Sequence, residues 1–273
     1  MTKMTDTAAL AAIGAATHDL RLPVVRTDAA RLAELAERSR LSYLGFLAEV
    51  LTAEVDERNE RRRTRRIAEA HFPRIKRLAD FNLDHAPTVN PATVATLASC
   101  AYLDTGAPVV LLGDSGTGKS HLLIGFGIAA CEQGRRVRYV TAAQLVNELA
   151  EAADERRLSR LVARYARLEL LCLDELGYVK LDTRGSELLF QILTEREEKA
   201  SIAVASNLPF SEWGGVIPDP RLVAAIVDRL TFNAHIIETG TESYRLRSTR
   251  TSRLEHRQRP GAKTSEHAGA IPT

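Results

Sequence analysis

VVLLGDSGTGKSHLL, residues 109–123, carries an unbroken apolar run into a turn of three glycines and out again through Lys119 and Ser120. The apolar run reads as a buried strand and the segment after Lys119 as a helix. The turn between them, Gly113-Asp114-Ser115-Gly116-Thr117-Gly118-Lys119-Ser120, matches GxxxxGK[ST] at every fixed position. Glycines let the backbone curl so that several N–H dipoles face one point, and the helix N-terminus adds its partial positive charge. Lys119 sets a cation beside the β- and γ-phosphates of a nucleotide, and Ser120 offers a hydroxyl to Mg²⁺. A glycine-rich turn that binds nothing would explain the glycines but not the Lys-Ser pair that closes it. His121 follows directly and is grouped with the loop.

Outward from this turn, apolar strands alternate with helical segments. Strands are expected at 108–112, 136–140, 168–174 and 201–206. Helices are expected at 119–133, from Thr141 onward, at 184–199 and at 219–232. That alternation predicts an α/β domain with a parallel sheet covered on both faces. HIIE and SYRL are expected as two short closing strands. Upstream, Asn90 and Pro91 form a helix start, with Gly106 as its stop. Residues 81–90 read as a linker. Residues 28–80 read as a small all-helical domain, with Asp28 and Ser42 as caps and Leu44, Leu47, Leu51 and Val55 at helical spacing. Pro73 breaks the long helix. Residues 1–27 and 251–273 are expected to be disordered tails, the first not a signal peptide.

The 273-residue chain is ordinary for a soluble protein, with 45% hydrophobic and 26% charged residues. Aromatics at 5% argue against a base-stacking surface. A net charge of +2 neither demands nor excludes nucleic acid, so charge distribution must decide. Cys100, Cys131 and Cys172 lie far apart in apolar stretches and read as buried free thiols. The histidines show no metal-like spacing, and no segment is apolar for long enough to span a bilayer. A cytoplasmic location, with no membrane partner, is expected.

A second chemical motif ends the third strand, LLCLDE (170–175). Asp174 would emerge beside the phosphate loop, where it can hold Mg²⁺ through a water. Glu175 can orient a water and accept its proton, which a hydrolase needs and a nucleotide kinase does not. Asn207, at the end of SIAVASN, either bonds that water or the γ-phosphate, or simply caps a turn. Arg221, Arg229 and Arg245 are candidates to stabilise charge on the γ-phosphate, from the same chain or a neighbour. Arginines on helices more often form a solvated face or a surface ion pair.

DERNERRRTRR (56–66) has two readings. It is a solvated helix with i,i+4 pairs, or Arg61, Arg62, Arg63, Arg65 and Arg66 exceed what Glu57 and Glu60 neutralise and face a partner or DNA phosphates.

GDSGTGKSHL, LCLDELGYVKLDTRGSELLFQIL, SNLPFSEWG, DRL and GTESYRL, in this order, resemble the IstB family of AAA+ ATPases that assist a partner transposase. DnaC-type helicase loaders share the core pattern. The resemblance covers about residues 28–248. It implies a P-loop NTPase of AAA+ type over residues 91–250, with a five-stranded sheet of order 5-1-4-3-2 and a helical N-terminal domain. It implies ATP and Mg²⁺ as cofactors, and homo-oligomers on duplex DNA held by the phosphate backbone. Gly113–Ser120 falls on the Walker A loop, with Lys119 and Ser120 on nucleotide and metal, and Asp174 and Glu175 fall on Walker B. Asn207 falls on sensor 1 and Arg245 on sensor 2. Arg229 falls where these families carry an arginine finger acting on the neighbouring subunit. Where loaders often carry a second arginine, one turn before the finger, this chain has Ala225. The implied function is an ATP-dependent transposition helper that selects or remodels target DNA and recruits a transposase, hydrolysis resetting the assembly. A helicase loader is the alternative.

Overall fold

The computed structural model describes residues 5–241. Five parallel strands form one sheet: β1 (Val109–Leu112), β2 (Val137–Thr141), β3 (Leu170–Leu176), β4 (Ser201–Ser206) and β5 (His235–Glu238). Their order is β2-β3-β4-β1-β5, which is 5-1-4-3-2 read from the other edge. The central strands are apolar nearly without alternation because both faces are covered. All four residues of β1 and all six of β4 are buried.

The connections supply the covering layers. The chain order begins with α1 (Asp6–Asp19), α2 (Pro23–Arg38) and α3 (Tyr43–Glu69). α4 (Pro91–Ala98) and α5 (Lys119–Glu132) cover one face, where Leu97, Leu122, Phe126 and Cys131 pack on Val109, Leu111, Cys172 and Ala203. α6 (Ala142–Asp154), α7 (Leu158–Ala166), α8 (Thr183–Arg196) and α9 (Pro220–Thr231) cover the other, through Leu145, Leu149, Tyr165, Leu189, Ile226 and Leu230. Burying each such leucine or isoleucine stabilises the fold by roughly 1.5–3 kcal/mol.

Several expectations change. Asp6–Asp19, expected within a disordered tail, is helical, capped by the Thr5 side chain and rich in alanine, the best helix former. α2 starts at Pro23, so Asp28 is interior and pairs with Arg31 instead of capping. The helix after Asn90 ends at Ala98, where Cys100 turns left-handed (φ 59°) and a 3-10 turn, Ala101–Asp104, follows. The stretch 81–90 is no loose linker. Ala86 and Val89 are buried in the same core as Leu122 and Phe126. The expected strand SYRL, with Arg245, lies outside the described residues, as does the 251–273 tail.

α3 joins two environments. Near its middle, buried Glu54 accepts hydrogen bonds from the Val24 and Val25 N–H groups at 2.9 and 3.2 Å. It thereby caps α2, whose own N-cap, Leu22, has no side-chain acceptor. Near its end, the Arg63 Nε donates to the Glu132 carbonyl (3.0 Å), and the Cys131 thiol donates to the Arg66 carbonyl (3.5 Å). Ser42 caps the helix start as expected, by accepting from the Gly45 N–H. The periodic residues Leu44, Leu47, Leu51 and Val55 are not core: 79, 51, 49 and 53% of their surface is exposed. They form an uncovered apolar row along α3.

All three cysteines are free and buried. Burial pushes the Cys100 thiol up to about 11 and that of Cys131 to about 12, so both are protonated and unreactive at neutral pH. Among the described residues no helix is long and apolar enough to cross a membrane.

Candidate functional site

The glycine turn lies between the end of β1 and the start of α5, as its sequence requires. Gly116 (φ 85°) and Gly118 (φ 102°) hold left-handed backbone that side chains disfavour. Gly118 has a second constraint, since a Cβ there would sit 2.7 Å from the Phe81 ring. The loop is stapled to the far edge of the sheet. The Asp114 N–H donates to the Gly240 carbonyl (3.0 Å), and the Thr117 and Thr239 hydroxyls lie 2.6 Å apart. Gly113 is the price of that closeness: a Cβ would meet Thr239 Oγ1 at 2.5 Å. The ammonium of Lys119, 8% exposed, donates to the Asp114 carbonyl at 2.7 Å.

The paired acids Asp174 and Glu175, expected as Walker B, sit on a deformed strand. β3 pairs Leu173 with Val204 and Leu176 with Ser206, so one extra residue bulges out of the ladder at Asp174-Glu175. Bulges re-aim side chains, and here they separate two acids. Asp174 stays 3% exposed, its carboxylate accepting from the Tyr139 hydroxyl (2.7 Å) and the Glu175 N–H (2.8 Å). Glu175 adopts φ 60°, a costly conformation for a residue with a side chain, and is exposed. Burial, then the Asp174 charge, raises the Tyr139 pKa, so the phenol remains a donor.

These groups meet in one cavity of about 360 Å³, lined by Ser115–His121, Asp174, Glu175 and Asn207. β4 lies next to β3, which sets Asn207 at the same sheet end as the paired acids. Its Oδ1 is buried without a partner. Gly177 (φ 109°) permits this approach, since a Cβ there would stand 2.9 Å from that oxygen. An orphaned buried acceptor beside an acid and a phosphate loop fits a site that takes a water or a phosphate group. Ser120 and Asp174 are the donors a P-loop offers Mg²⁺, and the Ser120 hydroxyl makes no hydrogen bond among the described residues. The donor set therefore fits the metal.

Sequence reasoning missed six contributors. Phe81, Asn82 and His85, from the supposed linker, line the cavity. Phe81 meets the His121 ring edge-on, 5.3 Å between centroids, while His121 Nε2 is 2.9 Å from the Arg77 carbonyl. Tyr178 donates to Ser115 Oγ (2.9 Å). Tyr139 and Thr239 are the others. An aromatic and a histidine within a short proline-containing stretch were the only signals for the first group. Nothing local marked Tyr139 or Thr239, because both act across strands.

The structure does not bring Arg229 to its own phosphate loop. It lines a cavity of about 390 Å³ with Pro108, Ala200 and Ile202, which lead into the opposite ends of β1 and β4. Its guanidinium lies 3.0 Å from a Glu197 carboxylate oxygen and 4.5 Å above the Phe190 ring centroid. Arg221 is exposed at the start of α9, also remote from the loop.

The arginines of α3 are also elsewhere, and most are paired. Arg61 binds Glu57 (2.7 Å), Arg63 approaches Glu60 (3.5 Å), and Glu69 takes both Arg65 (3.7 Å) and Arg66 (3.1 Å). The expected excess charge ignored Glu69. Arg62 has no carboxylate partner among the described residues.

A parallel sheet of this order with a phosphate loop after β1 and paired acids at the end of β3 defines a P-loop ATPase of AAA+ type. The sequence matches the family described as IstB-like ATP binding protein over residues 15–252, and the chain belongs to it. It is 39% identical to an insertion sequence ATP-binding protein (y4iQ/y4nD/y4sD) of Sinorhizobium fredii, over 92% of this chain and 85% of that one. It is 36% identical to the IS21 ATP-binding protein of Pseudomonas aeruginosa, over 68% and 70%. Among solved structures, AMPPCP-bound DnaA from Aquifex aeolicus superposes with TM-score 0.54 at 21% identity, covering 68% of this chain and 56% of that one. DnaI superposes with TM-score 0.50 at 19% identity, covering 60% and 90%. These two likenesses concern the fold.

Proposed function

We propose that the protein is a transposition helper that oligomerises on duplex DNA when it binds ATP, remodels or marks the target site and recruits a transposase. The observation that carries this reading is Arg229. It stands at the sheet end away from its own phosphate loop, where it suits a neighbour's γ-phosphate. A triphosphate held by Lys119 and the loop amides is then completed by a cation from the next subunit, which couples ATP to assembly. The uncovered row Leu44-Leu47-Leu51-Val55 supplies a second apolar contact for that assembly.

In hydrolysis, Glu175 accepts the proton of the attacking water and Asn207 Oδ1 accepts its other O–H. Ser120 and Asp174 would hold Mg²⁺, which when bound would neutralise charge on the phosphates. Arg245 completes the nucleotide contacts as sensor 2. Turnover resets the assembly.

Contact with duplex DNA is made to phosphates, and α7 fits it best. Arg157, Arg160 and Arg164 recur at i, i+3 and i+7 on this helix, flanked by Arg156 and Arg167, and all five are exposed. Among the described residues Arg156, Arg160 and Arg167 have no carboxylate partner. Exposed guanidinium groups, three of the five without an acidic partner, release counterions from a duplex with little base reading.

Glu175→Gln tests the whole reading. With ATP and duplex DNA, this variant is expected to sediment as a trapped oligomer. A monomer under those conditions overturns the coupling. Pull-down of a replicative helicase instead of a transposase would move the reading to a helicase loader.

A further inference from the structure

We propose that Tyr139 is a positioning residue for Asp174 and ties that carboxylate to the end of α3. The proposal rests on the reading of Asp174 as the Mg²⁺-side acid. Tyr139 sits on β2, the edge strand, and is held at three points. Its hydroxyl donates to Asp174 Oδ2 at 2.7 Å. Its N–H, directed out of the sheet edge, donates to the Ala70 carbonyl at 2.8 Å. Its ring lies against Phe72, 6.1 Å between centroids at 56°.

Ala70 and Phe72 are the first residues beyond α3, and they are fixed hard. His71 turns the chain with φ 59°. Phe72 is wedged against α5, where a Cβ on Gly127 would stand 2.7 Å from its ring. Glycine inside a helix costs about 1 kcal/mol relative to alanine, so Gly127 is explained by the room this ring needs. Ala70 itself is completely buried. A shift of α3 against the sheet therefore reaches Tyr139 through a backbone hydrogen bond and a ring contact together.

At the other end, among the described residues Asp174 accepts from two donors, the Tyr139 hydroxyl and the Glu175 N–H. A buried carboxylate takes its orientation from its donors, and the loss of one leaves it undersatisfied. Packing alone would be served equally by phenylalanine at 139. Among the described residues the hydroxyl has one hydrogen-bond partner, Asp174. The geometry links the helical N-terminal layer to the metal-side acid through one side chain, so a partner or DNA that pulls on α3 changes the affinity for Mg²⁺.

The test is binding of a fluorescent ADP analogue to the full chain, titrated with Mg²⁺ and repeated in EDTA. Tyr139→Phe is expected to leave metal-free affinity within about twofold, while the tightening conferred by Mg²⁺ falls about tenfold, the weight of one hydrogen bond to a charged group. Unchanged tightening overturns the positioning role. Phe72→Leu keeps the hydroxyl and loosens the ring, and is expected to reduce the same quantity several-fold. If Phe72→Leu matches the parent, the link to α3 is overturned. Circular dichroism confirms that each variant folds. A parent protein that binds the analogue with no response to Mg²⁺ would instead overturn the metal reading of Ser120 and Asp174.

Discussion

Residues 61–66 of α3 and residues 156–167 around α7 carry five arginines each, and the two stretches lie on opposite faces of the sheet. On α3 the arginines come with Glu57, Glu60 and Glu69 at i+3 or i+4 spacing, and four of the five lie within 4 Å of a carboxylate, in contacts of 2.7, 3.5, 3.7 and 3.1 Å. On and around α7 only Arg157, with Glu155, and Arg164, with Glu148 at 3.4 Å, have acidic partners. The denser cluster is thus the more neutralised one. What matters for a polyanion is unpaired charge on one face, not the number of arginines in a window.

The strongest way to break this comparison is to delete the α7 row. Arg156→Ala, Arg160→Ala and Arg167→Ala together, the three without an acidic partner, should weaken duplex binding roughly a hundredfold near physiological salt, and flatten the dependence of log K on log salt by two to three. Fluorescence anisotropy across a salt series measures both. Equal loss from the triple Arg61→Ala, Arg63→Ala and Arg65→Ala would return the DNA surface to α3. That second triple is expected to shift DNA affinity less than threefold.

A next, smaller effect separates the apolar row of α3 from its charged half. Leu47→Glu with Leu51→Glu should shift the ATP-dependent oligomer toward smaller species in sedimentation velocity, with ATP binding intact. If the distribution does not move, self-association runs through other surfaces. The ion pairs of α3 themselves should matter little. Glu57→Gln is expected to lower stability by about 0.2–1 kcal/mol in urea unfolding, the usual range for an exposed pair.

The smallest effect concerns pH. The Cys131 thiol stays protonated to about 12 when folded, against 9.0 for its ordinary value. Between those pH values the unfolded chain gives up a proton that the fold retains, so stability should fall as pH rises through the window. Cys131→Ala should flatten that alkaline slope in denaturant unfolding.

How much of this was legible differs by feature. The phosphate loop and the paired acids were readable because their chemistry is local: residue type and spacing along one segment suffice. The sheet was readable because its strands are buried on both faces and leave long apolar runs. The role of Phe81 and His85 was not, because their segment looks like a polar connection until it folds over Gly118. Tyr139 and Thr239 act on residues 35 and 122 positions away, which no window contains. The first helix escaped notice because its alanines make no strong apolar stripe. The α7 row was in plain view as RRLSRLVARYAR, but the segment was taken only as part of the helices after Thr141 and its charge was not weighed.

The bulge at Asp174-Glu175 carries a lesson for anyone wishing to make this protein tougher. A glutamate with φ 60° occupies a spot where glycine would rest about 1 kcal/mol more comfortably. A redesign ranked by heat resistance alone would therefore swap Glu175 for glycine and count it an improvement. It would have produced a sturdier molecule that no longer turns over its fuel, since the discomfort and the chemistry reside in the same residue.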